Sequence, residues 1–208
     1  MEASQGPREA DVAPAPVERV AGWSPADPGP LGLGAFAGTT FILSMLNSHL
    51  VGPLSGVAVF GVALVYGGLV QLLAGMWEFR TGNTFGAVVF SSYGAFWISV
   101  YILLHSTVIA PKAADSTVGL FLWMWTIFTV LMLIAALRTS GVVAFIFVLL
   151  LITFIFLAIG NSGGSTSTIK IGGYFGLATA AVAWYGCLAG VANSTFGRTV
   201  FPVFPLGG

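Results

Sequence analysis

Six apolar stretches, each near the length that crosses a bilayer, constrain this chain more than any other feature. A transmembrane helix needs about 20 mostly apolar residues, and segments 31–50, 54–77, 85–104, 118–137, 142–159 and 171–192 meet or approach that requirement. The first is the least regular, because Ser44, Asn47 and His49 make its end polar. The breaks between segments carry Gly, Pro, Ser, Asn or charges, as turns should. The apolar runs are continuous rather than alternating, which excludes a membrane β-barrel. Only 7% of residues are charged against 57% apolar, where soluble domains carry roughly a quarter charged residues. So few charges cannot coat a water-facing surface. The expected fold is an all-α integral membrane protein, a six-helix bundle in the cell (plasma or inner) membrane, with the lipid bilayer as its first partner.

Residues 1–26 differ in kind. They hold Pro7, Pro14, Pro16 and Pro25, four of the seven acids and two of the seven bases, with no apolar core after a basic start. This composition predicts a disordered cytoplasmic tail rather than a signal peptide. The membrane domain is then 27–202, with a short C-terminal tail at 203–208. With the N-terminus in the cytoplasm, Arg8, Arg19, Arg80, Arg138 and Arg198 lie inside and only Lys112 and Lys170 outside. That bias follows the positive-inside rule and places both termini in the cytoplasm.

The even-numbered spans all end in Arg-Thr, at Arg80-Thr81, Arg138-Thr139 and Arg198-Thr199, separated by 58 and 60 residues. The period suggests three helical hairpins in a pseudo-threefold repeat around a central pore. Gly34/Gly38, Gly172/Gly176 and Gly186/Gly190 are small-residue pairs four apart, which let helix backbones approach closely in lipid.

What the spans lack is equally informative. No Asp, Glu, Lys, Arg or His falls at the middle of any of them, and Glu78, His49 and His105 sit near ends. Glu78 is expected at the cytoplasmic interface beside Arg80. Ion-coupled carriers hold charge at mid-membrane, so a passive or weakly coupled pore is the better reading. No metal-ligand spacing, cofactor motif or nucleophile–base pair is present, so neither an enzyme, a cofactor nor a metal site is expected. The net charge of zero argues against nucleic acid. Cys187 reads as a small buried helix residue. The polar groups that remain are neutral. Thr39, Asn47, Gln71, Asn83, Thr84, Ser91, Ser92 and Asn161 are candidates to line a pore or touch a substrate, each also able to serve as an interhelical bond. Asn83-Thr84 also suits a helix start.

Several blocks carry a resemblance. Asp27-Pro28-Gly29-Pro30-Leu31-Gly32-Leu33 resembles the Asn-Pro-Ala-Pro-Leu-Gly-Leu signature of the acetate uptake transporter family, which includes the bacterial succinate–acetate permease and fungal acetate and ammonia transport proteins. Gly82-Asn83-Thr84-Phe85-Gly86 and Ser92-Tyr93-Gly94-Ala95-Phe96-Trp97 agree better still. Tyr66-Gly67-Gly68 with Gln71, Ala158-Ile159-Gly160-Asn161 and Phe196-Gly197-Arg198-Thr199-Val200 extend the match over nearly the whole chain beyond the tail. Asp27 stands where the family has Asn. It keeps the capping role and adds a negative charge at the pore mouth.

The resemblance implies a six-helix bundle, a homo-hexamer of such bundles, and a pore in each protomer narrowed by an apolar ring. Matched motif by motif, the ring is Phe36, Tyr93 and Leu150, spaced by 57 and 57 residues. The implied function is an anion channel or transporter for acetate and related small monocarboxylates, with succinate a further candidate. A channel for ammonia, ammonium or a neutral amide such as urea is the nearest alternative. A membrane scaffold with no permeant is the alternative from another class.

Overall fold

A computed structural model describes residues 24–106 and 114–207. The expected tail falls mostly outside them, and so does Lys112. Among the described residues, seven α-helices make six membrane-length spans: α1 (Gly29–Asn47), α2 (Gly56–Leu64) with α3 (Gln71–Thr81), α4 (Thr84–Ser106), α5 (Ala114–Ala136), α6 (Gly141–Gly163) and α7 (Thr166–Phe196). The second span is one column from Pro53 to Thr81. It opens with a 3-10 turn, and a π-helical segment, Val65–Val70, divides α2 from α3. The apolar stretch 54–77 marks the span without marking this change of helix type. The run Val-Tyr-Gly-Gly-Leu-Val is apolar throughout, and hydropathy does not register a change of helix type.

The boundaries follow local chemistry. The N-cap of α1 is Pro28 rather than the expected Asp27, which lies one residue earlier and accepts from the Gly29 amide at 2.8 Å. That helix stops at Asn47, short of position 50, and His49 turns with φ of 58°. Asn83 Oδ1 accepts from Gly86 N at 3.0 Å and caps α4. Ser140 caps α6 through the Val143 amide at 3.2 Å. The last span is longer than expected: α7 has 31 residues and starts at Thr166, so Lys170 lies within its first two turns.

Glycines set the closest crossings. A Cβ on Gly75 would lie 2.4 Å from Ser91 N, and one on Gly94 would lie 2.7 Å from Leu72 N. The α3 and α4 backbones therefore touch directly. Gly186 and Gly190 face Leu33 and Pro30 of α1, while Gly176 faces Ser44. These pairs pack α7 against α1 in antiparallel fashion within one chain.

Residues 203–207 do not trail free. Gly141 N donates to Phe204 O at 2.7 Å, Val142 N to Val203 O at 3.3 Å, and Leu206 N to Thr139 O at 3.0 Å. The first N–H groups of a helix lack partners within it, and this strap supplies two of them for α6. Asn193 holds the strap's approach, accepting from Val200 N and Phe201 N at 2.7 and 2.9 Å and donating to Phe201 O at 2.8 Å.

Candidate functional site

α1, α4 and α6 run in the same sense. Phe85 meets Phe147 with ring centroids 5.7 Å apart, and Phe96 meets Phe154 at 5.4 Å, so ascending positions on α4 face ascending positions on α6. Two cavities lie along these three helices, with Val118, Phe121 and Leu122 of α5 completing the wall of one and Gln71 of α3 that of the other. The upper one, toward their C-terminal ends, has a volume of about 160 Å³. The lower one is about 20 Å³. One water needs roughly 10–15 Å³ of such space, so the lower cavity holds about a single water and the upper holds several.

The two cavities share Phe36 and Leu150 in their walls, and Tyr93 lines the lower one. Phe36 and Tyr93 are in contact, with centroids 6.0 Å apart. All three residues are no more than 5% exposed and belong to one hydrophobic cluster. An apolar layer thus separates the two spaces.

Lining residues recur with one spacing. Leu33, Phe90 and Phe147 line the lower cavity. Phe36, Tyr93 and Leu150 form the layer above. Thr40, Trp97 and Phe154 follow one turn higher, then Leu43, Val100 and Leu157, and finally Asn47, Leu104 and Asn161, all nine in the upper wall. Within every set the members are 57 residues apart. On each helix the steps are three or four residues, which keeps one face toward the cavities.

The other polar candidates divide sharply. Gln71 lines the lower cavity, is 1% exposed, and neither its amide oxygen nor its nitrogen has a partner among the described residues. Asn47 and Asn161 line the top of the upper cavity, and Asn161 Nδ2 donates to Leu157 O at 2.8 Å. Thr39 is fully buried away from both cavities. Its hydroxyl lies 2.9 Å from Ala35 O and 3.4 Å from Val62 O, bonding α1 to α2 just before the π-helical segment. Asn83 is spent as a cap and as a donor to Glu78 at 3.0 Å. Thr84 is exposed at the first residue of α4. Ser91 fills the crossing against Gly75, and Ser92 lines neither cavity.

Glu78 differs from expectation. It is 2% exposed rather than at a wet interface, and its carboxylate accepts from Thr81 Oγ1 at 3.1 Å and Asn83 Nδ2 at 3.0 Å. A buried acid needs such donors, and the turn joining α3 to α4 supplies both. Gly86 packs against it, where a Cβ would lie 2.7 Å from the carboxyl.

Trp97 escapes a reading by residue type, since a tryptophan in an apolar helix reads as a packing group; the 57-residue period finds it, as Tyr93 advanced by four.

Among the described residues, six membrane-length spans with cavities along α1, α4 and α6 define a polytopic membrane protein. The chain belongs to the GPR1/FUN34/yaaH family, whose model matches residues 9–208. It is 43% identical over 195 residues to acetate permease A of Emericella nidulans, covering 86% of this chain and 65% of that protein. It therefore spans just under two thirds of that relative's length. It is 38% identical to the succinate-acetate/proton symporter SatP of Escherichia coli K12, over 86% of this chain and 95% of that one. The structure of the bacterial acetate channel SatP superimposes with a TM-score of 0.81 at 35% identity, covering 86% of this chain and 99% of that chain.

Proposed function

We propose that this protein carries acetate and related small monocarboxylates through the route between α1, α4 and α6, with Phe36, Tyr93 and Leu150 as its constriction. The observation that carries the reading is the pair of cavities meeting at Phe36 and Leu150. The names of the relatives agree with it, since an acetate permease, a succinate-acetate symporter and an acetate channel share this chain's family or fold.

The chemistry follows from dehydration. Stripping water from a small inorganic ion in low dielectric is costly, and an apolar layer offers it nothing in return. Acetate has a methyl end that meets Phe36 and Leu150 without loss, so only its carboxylate needs polar partners. Below the layer that partner is Gln71, whose orphaned amide otherwise costs roughly 1–3 kcal/mol per unmade bond. A dicarboxylate must dehydrate both ends and passes more slowly. The protonated acid, abundant near a pH of about 4–5 by analogy with Asp and Glu, crosses at less cost than the anion.

The 57-residue register of five lining layers supports a pseudo-threefold arrangement of hairpins around this route. The same reading includes a homo-hexamer with one route per protomer and both termini on the cytoplasmic side. Uptake of labelled acetate by liposomes holding the purified protein, with and without a pH gradient, tests the function. Saturable uptake that competing propionate lowers is expected. No uptake identifies a scaffold, and stronger competition by urea or methylammonium than by propionate identifies the amide or ammonium channel. A native mass of six chains and protease access to the C-terminus only from the cytoplasmic side are the corresponding tests of assembly and topology.

A further inference from the structure

Among the described residues, three helices end on a glycine in the left-handed region: Gly82 after α3 with φ of 79°, Gly164 after α6 with 65° and Gly197 after α7 with 62°. α1 ends differently. Leu50 N donates to Met45 O at 3.1 Å and His49 N to Leu46 O at 3.0 Å, the paired bonds of a Schellman turn. His49 is its left-handed residue, with φ of 58°. Glycine adopts that conformation without steric cost, and a residue with a Cβ does not. Histidine tolerates it better than most side chains, but the backbone alone gives no reason to have it there in place of glycine. What glycine lacks is the imidazole.

His49 is exposed and lines an open pocket of about 550 Å³ in the loop between α1 and the second span. Asn47 belongs both to the wall of this pocket and to the top of the upper cavity. The pocket therefore stands at the upper end of the route, on the outer side in the topology proposed above. Two segments build it, residues 46–53 and the start of α7 at Ile169. The first turns of α7 press against this corner, where a Cβ on Gly173 would strike the Ser48 amide nitrogen. Neither segment contains an acid. His49 is the one ionisable residue of 46–53, and Lys170 is the one charged residue of 166–173. A histidine side chain changes charge between about pH 5 and 8, whereas a free carboxylic acid loses its proton near pH 4–5. In mildly acid medium an imidazole is thus cationic while the acid is already an anion. We infer that His49 is a capture group at the outer mouth of the route, whose imidazolium draws small carboxylate anions to the entrance. The inference rests on the carboxylate transport proposed above and adds the residue that governs entry. A charge at the mouth attracts the anion, repels ammonium and leaves a neutral solute unaffected.

H49G and H49N suit the left-handed turn and remove the charge, so both are expected to fold and to melt no lower than the parent. Labelled acetate uptake is measured in liposomes holding the purified full-length protein with its C-terminus inside, at about pH 5.5 and about pH 8, less the uptake by protein-free liposomes. At the lower pH both variants are expected to raise KM for acetate roughly twofold to fivefold, the scale of one partly screened charge, with Vmax unchanged. At the higher pH the gap from the parent should close. H49K, charged at both, is expected to hold KM low at both. Potassium chloride at about 1 M, which shortens the reach of a charge to about 3 Å, should erase the differences. Variants that match the parent at both pH values, that differ from it equally at both, or that lose Vmax alone, overturn the capture role. An H49G protein that melts well below the parent overturns it too, since the histidine then has a structural reason to be there. Failure of the two proposals is separable. Saturable acetate uptake that H49G leaves unchanged removes the capture group and keeps the transport function. No uptake by the parent at either pH removes both.

Discussion

Tyr93 gives its hydroxyl hydrogen to Thr129, 2.8 Å away on α5. The direction follows because Thr129 spends its own hydrogen on Trp125 O at 2.7 Å, and a hydroxyl has only one to donate. The tyrosine thus shows its ring to the lower cavity, while its polar end is turned to a neighbouring helix.

Y93F therefore keeps the width of the constriction and leaves Thr129 bonded to Trp125. Acetate flux should stay near the parent value, with stability lowered by about 1 kcal/mol. T129V is the harsher change, since it strands a buried tyrosine donor at a cost of roughly 1–3 kcal/mol. Denaturation midpoints and uptake rates measured together check the pair. A large loss of flux in Y93F with unchanged stability means that the hydroxyl contacts the permeant after all.

Leu150→Ala and Phe36→Ala each remove a side chain that both cavities share. The result should be one continuous space in place of two. Uptake of succinate and other larger acids is expected to rise relative to acetate, and inorganic anions to begin leaking. A stability loss of roughly 2–5 kcal/mol accompanies such truncations in well-packed cores, and the low end is expected here because the cavities already interrupt the packing. Unaltered selectivity in both variants places the constriction elsewhere.

Gly75→Leu should prevent folding, because the atoms its Cβ meets at 2.4 Å include the Ser91 backbone nitrogen, which has no flexible end to yield. Gly61→Leu is the control, since nothing lies within 4 Å of the Cβ position there. Expression and monodispersity on gel filtration should separate the two, with loss only for the first.

Transport should proceed without sodium. Among the described residues, no charged side chain lines either cavity, and none sits where a coupling cation would cross. Replacing sodium with choline on both sides of the liposome membrane is expected to leave the acetate rate unchanged. Sodium-dependent accumulation against an acetate gradient refutes this.

The spans were legible because length and apolarity suffice to detect them, and Asn83 was legible as a cap because its chemistry is local. The constriction residues were named through family motifs, and their 57-residue spacing extends to four more layers of cavity wall. Glu78 was misplaced because hydropathy locates a charge along a helix and says nothing of which face carries it. Thr39 and Ser91 could not be told from lining residues for the same reason. The route's inner wall depends on helix rotation, and these helices are apolar on nearly every side.

The π-helical segment Val65–Val70 has a consequence for that rotation. An α-helix turns roughly 100° per residue, and one residue accommodated in a wider turn retards everything beyond it by about that angle. Gln71 is the first residue of α3. With an unbroken α-helix through Tyr66-Gly67-Gly68, the same residue would leave α2 pointing about a quarter-turn away from its present direction. The bulge is thus a phase adjustment built into the backbone. It lets the upper half of the column follow one packing face and the lower half another, and it places Gln71 in the wall of the lower cavity. Shortening the segment by one residue would turn Gln71 away from that wall without changing any side chain's identity.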